Sequence, residues 1–104
     1  MEDRENPMQV FMKGAPTVAR AFNGLITALS EGKEPDGRTR QLIYIAMKAS
    51  QGDAGAFVAH VGMAKRAGAS RQELKEAILM TLTVAGIRGV ATCLCPALAA
   101  WEAA

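Results

Sequence analysis

The single histidine of the chain, His60, is the side chain best suited to move a proton near neutral pH. We predict that it lies on a helix that Asp53 caps at one end and Gly68 closes at the other. Ala56 and Phe57 precede it by one turn, so its ring is expected to lean over small and apolar neighbours. The resulting desolvation favours the neutral imidazole, which is the form of a general base. The alternative is a structural histidine, bonded to a carbonyl or solvated on the helix flank.

Cys93 and Cys95 are the only thiols of the chain. A thiolate close to His60 would be a nucleophile for redox chemistry. Residues two apart on a helix point about 200° away from each other, so the two thiols face each other only if Pro96 breaks the helix. The alternative is that both are small buried apolar side chains. One histidine and this pair fall short of a recognisable ligand set, so we expect no metal and no other cofactor.

Arginines are the candidates for binding an anionic substrate, because the planar guanidinium matches a carboxylate. The candidates are Arg38, Arg40 and Arg88. Of these, Arg88 is favoured as a substrate-binding residue because it lies in a turn between two glycines. Arg40 is the second predicted substrate-binding residue. The alternative is that these arginines are solvated at the surface.

Helical periodicity and cap residues predict the elements that must position these side chains. The clearest helix start is Ser70, where S-x-x-E forms a capping box with Glu73. An apolar helix is expected to follow to about Ala85, and a turn is predicted between Gly86 and Gly89. Other predicted helices begin at Asn6-Pro7, at Ala15 or Pro16, and at Asp36 or Gly37, and a last one, from about Val90 to Glu102, is kinked at Pro96 or starts afresh near Cys95.

The predicted helix from Asp36 or Gly37 to about Gln51 is expected to be buried on more than one side. Ile43 and Met47 extend an apolar face that already has helical spacing. That face is formed by Leu42, Ile45, Ala46 and Ala49.

The composition indicates one all-α domain over residues 1–104, because alanine, leucine and methionine dominate and only 5% of residues are aromatic. The net charge of +2, from 12 basic and 10 acidic residues, does not favour nucleic-acid binding. No apolar run approaches the ~20 residues that span a bilayer. The charged start of the chain is followed by no signal-type apolar core, so a cytoplasmic protein is expected.

The order of segments from Thr39 to Ile87 resembles the carboxymuconolactone decarboxylase family, which includes the alkylhydroperoxidase D-like proteins. A T-R-Q-L segment is followed by the His60 helix, then by A-G-A-S-R-Q-E-L from Ala67 to Leu74, and then by an apolar helix ending in glycines. Together these parts are more specific than each is alone. The resemblance implies an all-α bundle of five or six helices with a helical-hairpin arrangement.

The chain departs from the redox branch of that family at three positions. That branch has cysteines seven and four residues before the histidine, where this chain has Asp53 and Ala56. The family glutamate of the T-R-E-L segment is Gln41. Asp53 keeps a negative charge at the helix start, although a plain N-cap also explains it.

Three functions stay open at this stage. The first is an acid-base enzyme resembling the lactone decarboxylase branch, in which His60 moves a proton and an arginine binds a substrate carboxylate. The second is a thiol-dependent peroxidase, of peroxiredoxin type, using Cys93 or Cys95. The third is a non-catalytic oligomeric binding protein. The candidate catalytic residues are His60, Gln41, Asp53, Cys93 and Cys95, and the candidate substrate-binding residues are Arg88 and Arg40.

A homo-oligomer is expected in every case, and the resemblance implies a trimer or hexamer. The last three predicted helices are too apolar for a chain of 104 residues to cover by itself. No nucleic-acid partner and no membrane are expected.

Overall fold

The computed structural model describes residues 6–104, and this part of the chain is helical with no strand. The predicted all-α fold is confirmed. Within this range there are six longer helices, one single-turn helix and one π-helical segment. They are α1 (Pro7–Gly14), α2 (Pro16–Ser30), α3 (Gly37–Ser50), α4 (Val58–Arg66), α5 (Arg71–Leu79), the short α6 (Leu82–Ala85), a π-helical segment (Val90–Leu94) and α7 (Cys95–Ala103). No helix within residues 6–104 is long and apolar enough to cross a membrane.

The structure divides into two compact units, one ending at Lys33 and one running over residues 34–104. The predicted single domain stays a prediction. In the first unit α1 contacts α2, and the rings of Phe11 and Phe22 meet edge to face with centroids 5.8 Å apart. Asn6 caps α1 as predicted, since its side chain accepts a hydrogen bond from the Met8 N–H at 2.9 Å.

The second unit has a core to which α3, α4, α5, the π-helical segment and α7 contribute. Its largest fully buried side chains are Phe57, Ile45, Leu74, Ile78, Val61 and Cys93. Because α3 contacts both α4 and α5, it is the element against which the His60 helix is positioned. The prediction that α3 is buried on more than one side is wrong for the single chain, where Ile43 and Met47 are exposed.

Two helix ends follow their local signals. Gly68, at φ +100°, ends the His60 helix, and the N–H groups of Gly68 and Ala69 donate to the carbonyls of Lys65 and Ala64. Ser70 then starts α5 with both hydrogen bonds of its capping box to Glu73.

The start of the His60 helix differs from the prediction. The helix begins at Val58, and its N-cap, Phe57, makes no side-chain cap bond. Asp53 instead accepts a hydrogen bond from the Gly55 N–H at 3.1 Å and pairs with Lys48. The carboxylate is thereby held in a local turn and by α3, and the full burial of Phe57 fixes where the helix can begin.

The apolar segment after Ser70 is not one helix. Its first part ends at Leu79, where the Thr81 hydroxyl donates to the Ile78 carbonyl at 2.7 Å. A threonine hydroxyl bonded to a nearby carbonyl competes with the helical ladder. Gly86, at φ +68°, makes the predicted turn, but Gly89 is already helical.

Pro96 is accommodated by a π-helical segment rather than by a chain break. Proline lacks the N–H and clashes with the carbonyl four residues earlier, and a wider turn relieves that conflict. Val90–Leu94 forms the wide turn, and α7 continues from it at Cys95 without leaving helical dihedral angles, so the helix does not start afresh there as one of the two predictions had it.

Candidate functional site

Helix α3 presents a polar stripe to the His60 region. Gln41, Tyr44 and Lys48 are three and four residues apart, so they lie on one face of the helix. Gln41 and Tyr44 both contact His60, and Lys48 contacts Asp53. These five residues form the candidate site.

Gln41 determines the protonation pattern of His60. The Nδ1 atom of His60 lies 2.8 Å from Oε1 of Gln41. With the amide oxygen facing the ring as the acceptor, Nδ1 carries the proton of this bond, and the neutral ring has its lone pair on Nε2. Nε2 is therefore the atom at which the neutral ring can take up a proton.

Tyr44 covers one face of the imidazole. The two rings are stacked with centroids 3.8 Å apart and planes 23° from parallel. His60 is half-buried, and this burial lowers the pKa of His60 from the ordinary value of 6.5. Desolvation disfavours the charged ring, so His60 is neutral at pH 7.

Lys48 and Asp53 form an ion pair beside the stacked rings. Their Nζ and Oδ2 atoms are 2.8 Å apart. The hydrogen bond from Lys48 lowers the pKa of Asp53, and its positive charge adds to that shift. The same bond raises the pKa of Lys48, with a further contribution from Tyr44, so both partners are ionised at neutral pH.

The two cysteines lie in different environments. Cys93 is fully buried among the core side chains, and its sulfur lies 3.5 Å from the hydroxyl of Thr92. Cys95 is exposed, and both thiols are free. The buried position of Cys93 is the environment of a small apolar side chain.

The arginines are distributed over different places. The side chain of Arg88 lies over Gly52, which follows the end of α3, and Gly89 packs against the carbonyl of Ala49. Ala49 is eight residues beyond Gln41, or about 12 Å along the helix axis. Arg88 therefore lies at the end of α3 that carries Lys48 and leads to Asp53, and not beside Gln41, which bonds to His60.

Arg40 and Arg38 lie near the start of α3. Arg40 donates to the Glu34 carbonyl at 3.4 Å, and Arg38 pairs with Glu73 at 2.6 Å. Both arginines are half-buried. Arg40 is adjacent in sequence to Gln41, but successive helical residues point in different directions.

The sequence analysis missed Tyr44 and Lys48. The signal was present in the spacing, since both continue the stripe that starts at Gln41. It was overlooked because Tyr44 sits within the apolar run L-I-Y-I, and because a lysine late in a helix is ordinary.

Comparison with known families agrees with this all-helical fold. The chain belongs to the carboxymuconolactone decarboxylase family, whose family model matches residues 16–103. The comparisons with curated proteins and with solved structures gave no match.

Proposed function

We propose that the protein is an acid-base enzyme in which His60 carries a proton during decarboxylation, or a related reaction, of a small carboxylated substrate. The observation that supports this most is the 2.8 Å bond between His60 Nδ1 and Gln41 Oε1. With Nδ1 as the donor of this bond, the neutral ring that burial favours has its proton acceptor at Nε2, the form that a general base requires.

The chemistry requires one proton to be moved. His60 takes up a proton at Nε2 from the substrate carboxyl group, which leaves the carboxylate. The bond between the substrate carbon and the carboxylate carbon then breaks. The electron pair of that bond stays on the substrate carbon, and carbon dioxide leaves. The imidazolium then gives its proton to the carbon that held the carboxylate and returns to the neutral form.

A thiol mechanism has less support. Asp53 and Ala56 stand where the redox branch that this chain resembles has cysteines, and neither can attack a peroxide. Cys93 is buried in the core, which disfavours a reactive thiolate. Cys95 is exposed and remains the thiol to test.

The test is carbon dioxide release from a series of unsaturated lactone carboxylates. We expect His60→Ala to lower the rate by about a hundredfold to ten-thousandfold, the usual contribution of a general acid or base. Gln72→Ala is the matched control, because this exposed residue bonds only across α5 to Glu76. Peroxide reduction that is lost in Cys95→Ser would overturn the proposal in favour of a peroxidase. A stable oligomer with neither activity would make the protein a non-catalytic binding protein.

We also propose that the protein is a homo-oligomer, as a trimer or hexamer. Both units expose large apolar side chains that a monomer would leave in water. In the first unit these include Val18, Phe22, Leu25, Ile26 and Leu29, and in the second Ile43, Met47, Met80, Val84 and Ile87. The cytoplasmic location remains a prediction.

A further inference from the structure

Lys48 is the ammonium group of the candidate site. It follows Tyr44, which stacks on His60, by one helical turn on the same face of α3. Its side chain is 23% exposed, so the ammonium is partly desolvated while a ligand can still reach it. A cation in such a place attracts an anion more strongly than one in open water.

The pairing with Asp53 leaves Lys48 able to bind a second anion. An ammonium has three N–H donors, and one of those of Lys48 bonds to Asp53. The Asp53 carboxylate also accepts hydrogen bonds from the backbone N–H groups of Gly55 and Ala56, and these bonds stabilise its negative charge. Asp53 thus orients the ammonium without using all of its hydrogen-bonding capacity.

We propose that Lys48 binds the carboxylate of the substrate, with Asp53 as the residue that positions the ammonium. This inference rests on the proposed function of His60, and it assigns to Lys48 the role that the sequence suggested for Arg88 or Arg40. The substrate class is a small carboxylate whose reacting carbon lies beside His60 while its anionic group reaches one helical turn along α3.

The test separates binding from catalysis by using paraconate, a saturated lactone carboxylate, as the probe in titration calorimetry. We expect Lys48→Met, which keeps an apolar stem but removes the charge, to weaken paraconate binding by about tenfold or more, as expected for a lost charged hydrogen bond. Lys48→Arg should restore most of the affinity. The methyl ester of paraconate, which has no charge, should bind all three forms equally weakly.

Arg71→Met is the matched control, since this exposed arginine pairs with Glu102 and none of the five site residues lies on α5 or α7, so paraconate binding should be unchanged. Arg88→Met tests the competing arginine, whose side chain lies over Gly52 beside Asp53.

Should Lys48→Met fail to fold, Asp53→Asn provides the second variant. It leaves the ammonium in place but removes the carboxylate that positions it, so paraconate should bind severalfold more weakly than it binds the wild type, while binding of the uncharged ester should not change.

The inference is overturned if paraconate does not bind the wild-type protein, or if Lys48→Met binds it as the wild type does. It is also overturned if only Arg88→Met loses binding. Loss of binding in Lys48→Met, together with full activity of His60→Ala, would retain the carboxylate site and reject the proposed role of His60. The two proposals therefore fail separately.

Discussion

At the level of single residues, burial lowers the pKa of His60, and the amide of Gln41 adds no charge that would oppose this effect. A carboxylate at this position would accept the same hydrogen bond from Nδ1, but it would also stabilise the imidazolium. The amide accepts the bond and adds no charge, so the effect of burial on the pKa of His60 is not offset. The site is consequently suited to a proton carrier that rests in its basic form.

The lowered pKa of His60 predicts a pH dependence of stability. The unfolded chain binds a proton at His60 more readily than the folded chain does, because the folded pKa lies below 6.5. The free energy of unfolding should therefore fall as the pH is lowered from about 7 to about 5, through the unfolded pKa toward the folded one. Urea unfolding across this range measures the effect.

His60→Gln supplies the control for that measurement. It removes the titrating group and keeps a polar side chain of similar reach, so its stability should change less over the same pH range. An equal slope for wild type and variant would show that His60 has no lowered pKa and would contradict the neutral resting state.

At the level of secondary-structure elements, the close approach of one glycine determines where the last helical segment packs. A Cβ atom at Gly89 would lie 2.5 Å from the Ala49 carbonyl oxygen and 2.8 Å from Thr81 Oγ1. Both neighbours are buried, and Ala49 is part of α3. The absence of a side chain at Gly89 is thus what lets the segment carrying Cys93 reach the core.

We expect Gly89→Ala to lower the free energy of unfolding by about 1–3 kcal/mol, the usual cost of overpacking a core. Gly24→Ala is the matched control, since this helical glycine has no atom within 4 Å of the added Cβ. That variant should be stabilised by about 0.5–1 kcal/mol, because alanine restricts the unfolded chain. Urea unfolding of both variants is the measurement, and equal stabilisation of the two would show that α3 does not approach Gly89 closely.

The same elements show how far sequence could predict the structure. The ends of helices at Asn6, Gly68 and Ser70 follow from hydrogen bonds within a few residues, and such local bonds can be read from residue types. The start at Val58 could not be read in this way, because it depends on a pairing of Asp53 with Lys48 and on the burial of Phe57 against other helices.

The candidate site shows the same division. His60 and Gln41 were identified from residue type and family resemblance, and the structure brings them into contact. Arg88 was chosen for its chemistry and for its place between two glycines, and its position over Gly52 depends on how the chain after Gly86 packs on α3, which no local pattern specifies. The helical spacing from Gln41 places Tyr44 and Lys48 on the same face of α3, but only the contacts with His60 and Asp53 show that this face belongs to the site.

At the level of the whole molecule, the exposed apolar surface is the feature that supports association with further copies of the chain. Met80 is 70% exposed and Val84 is 82% exposed, and together with Ile43 and Met47 they line an apolar groove of about 340 Å³. Such side chains contribute no hydrophobic stabilisation while they stay in water, whereas contact with another copy of the chain would bury them.

We therefore expect wild-type protein to sediment as a trimer or hexamer at micromolar concentration, and the double variant Met80→Glu with Val84→Glu to shift toward smaller species. Charges that are buried without partners oppose association strongly, because each must lose its hydration. Gln9→Glu with Ala99→Glu is the control, since it adds the same two negative charges at exposed positions outside the groove. Analytical ultracentrifugation at several concentrations measures the masses. A wild-type monomer at all concentrations would contradict the expected oligomer, and unchanged assembly of the double variant would place the interface away from this groove.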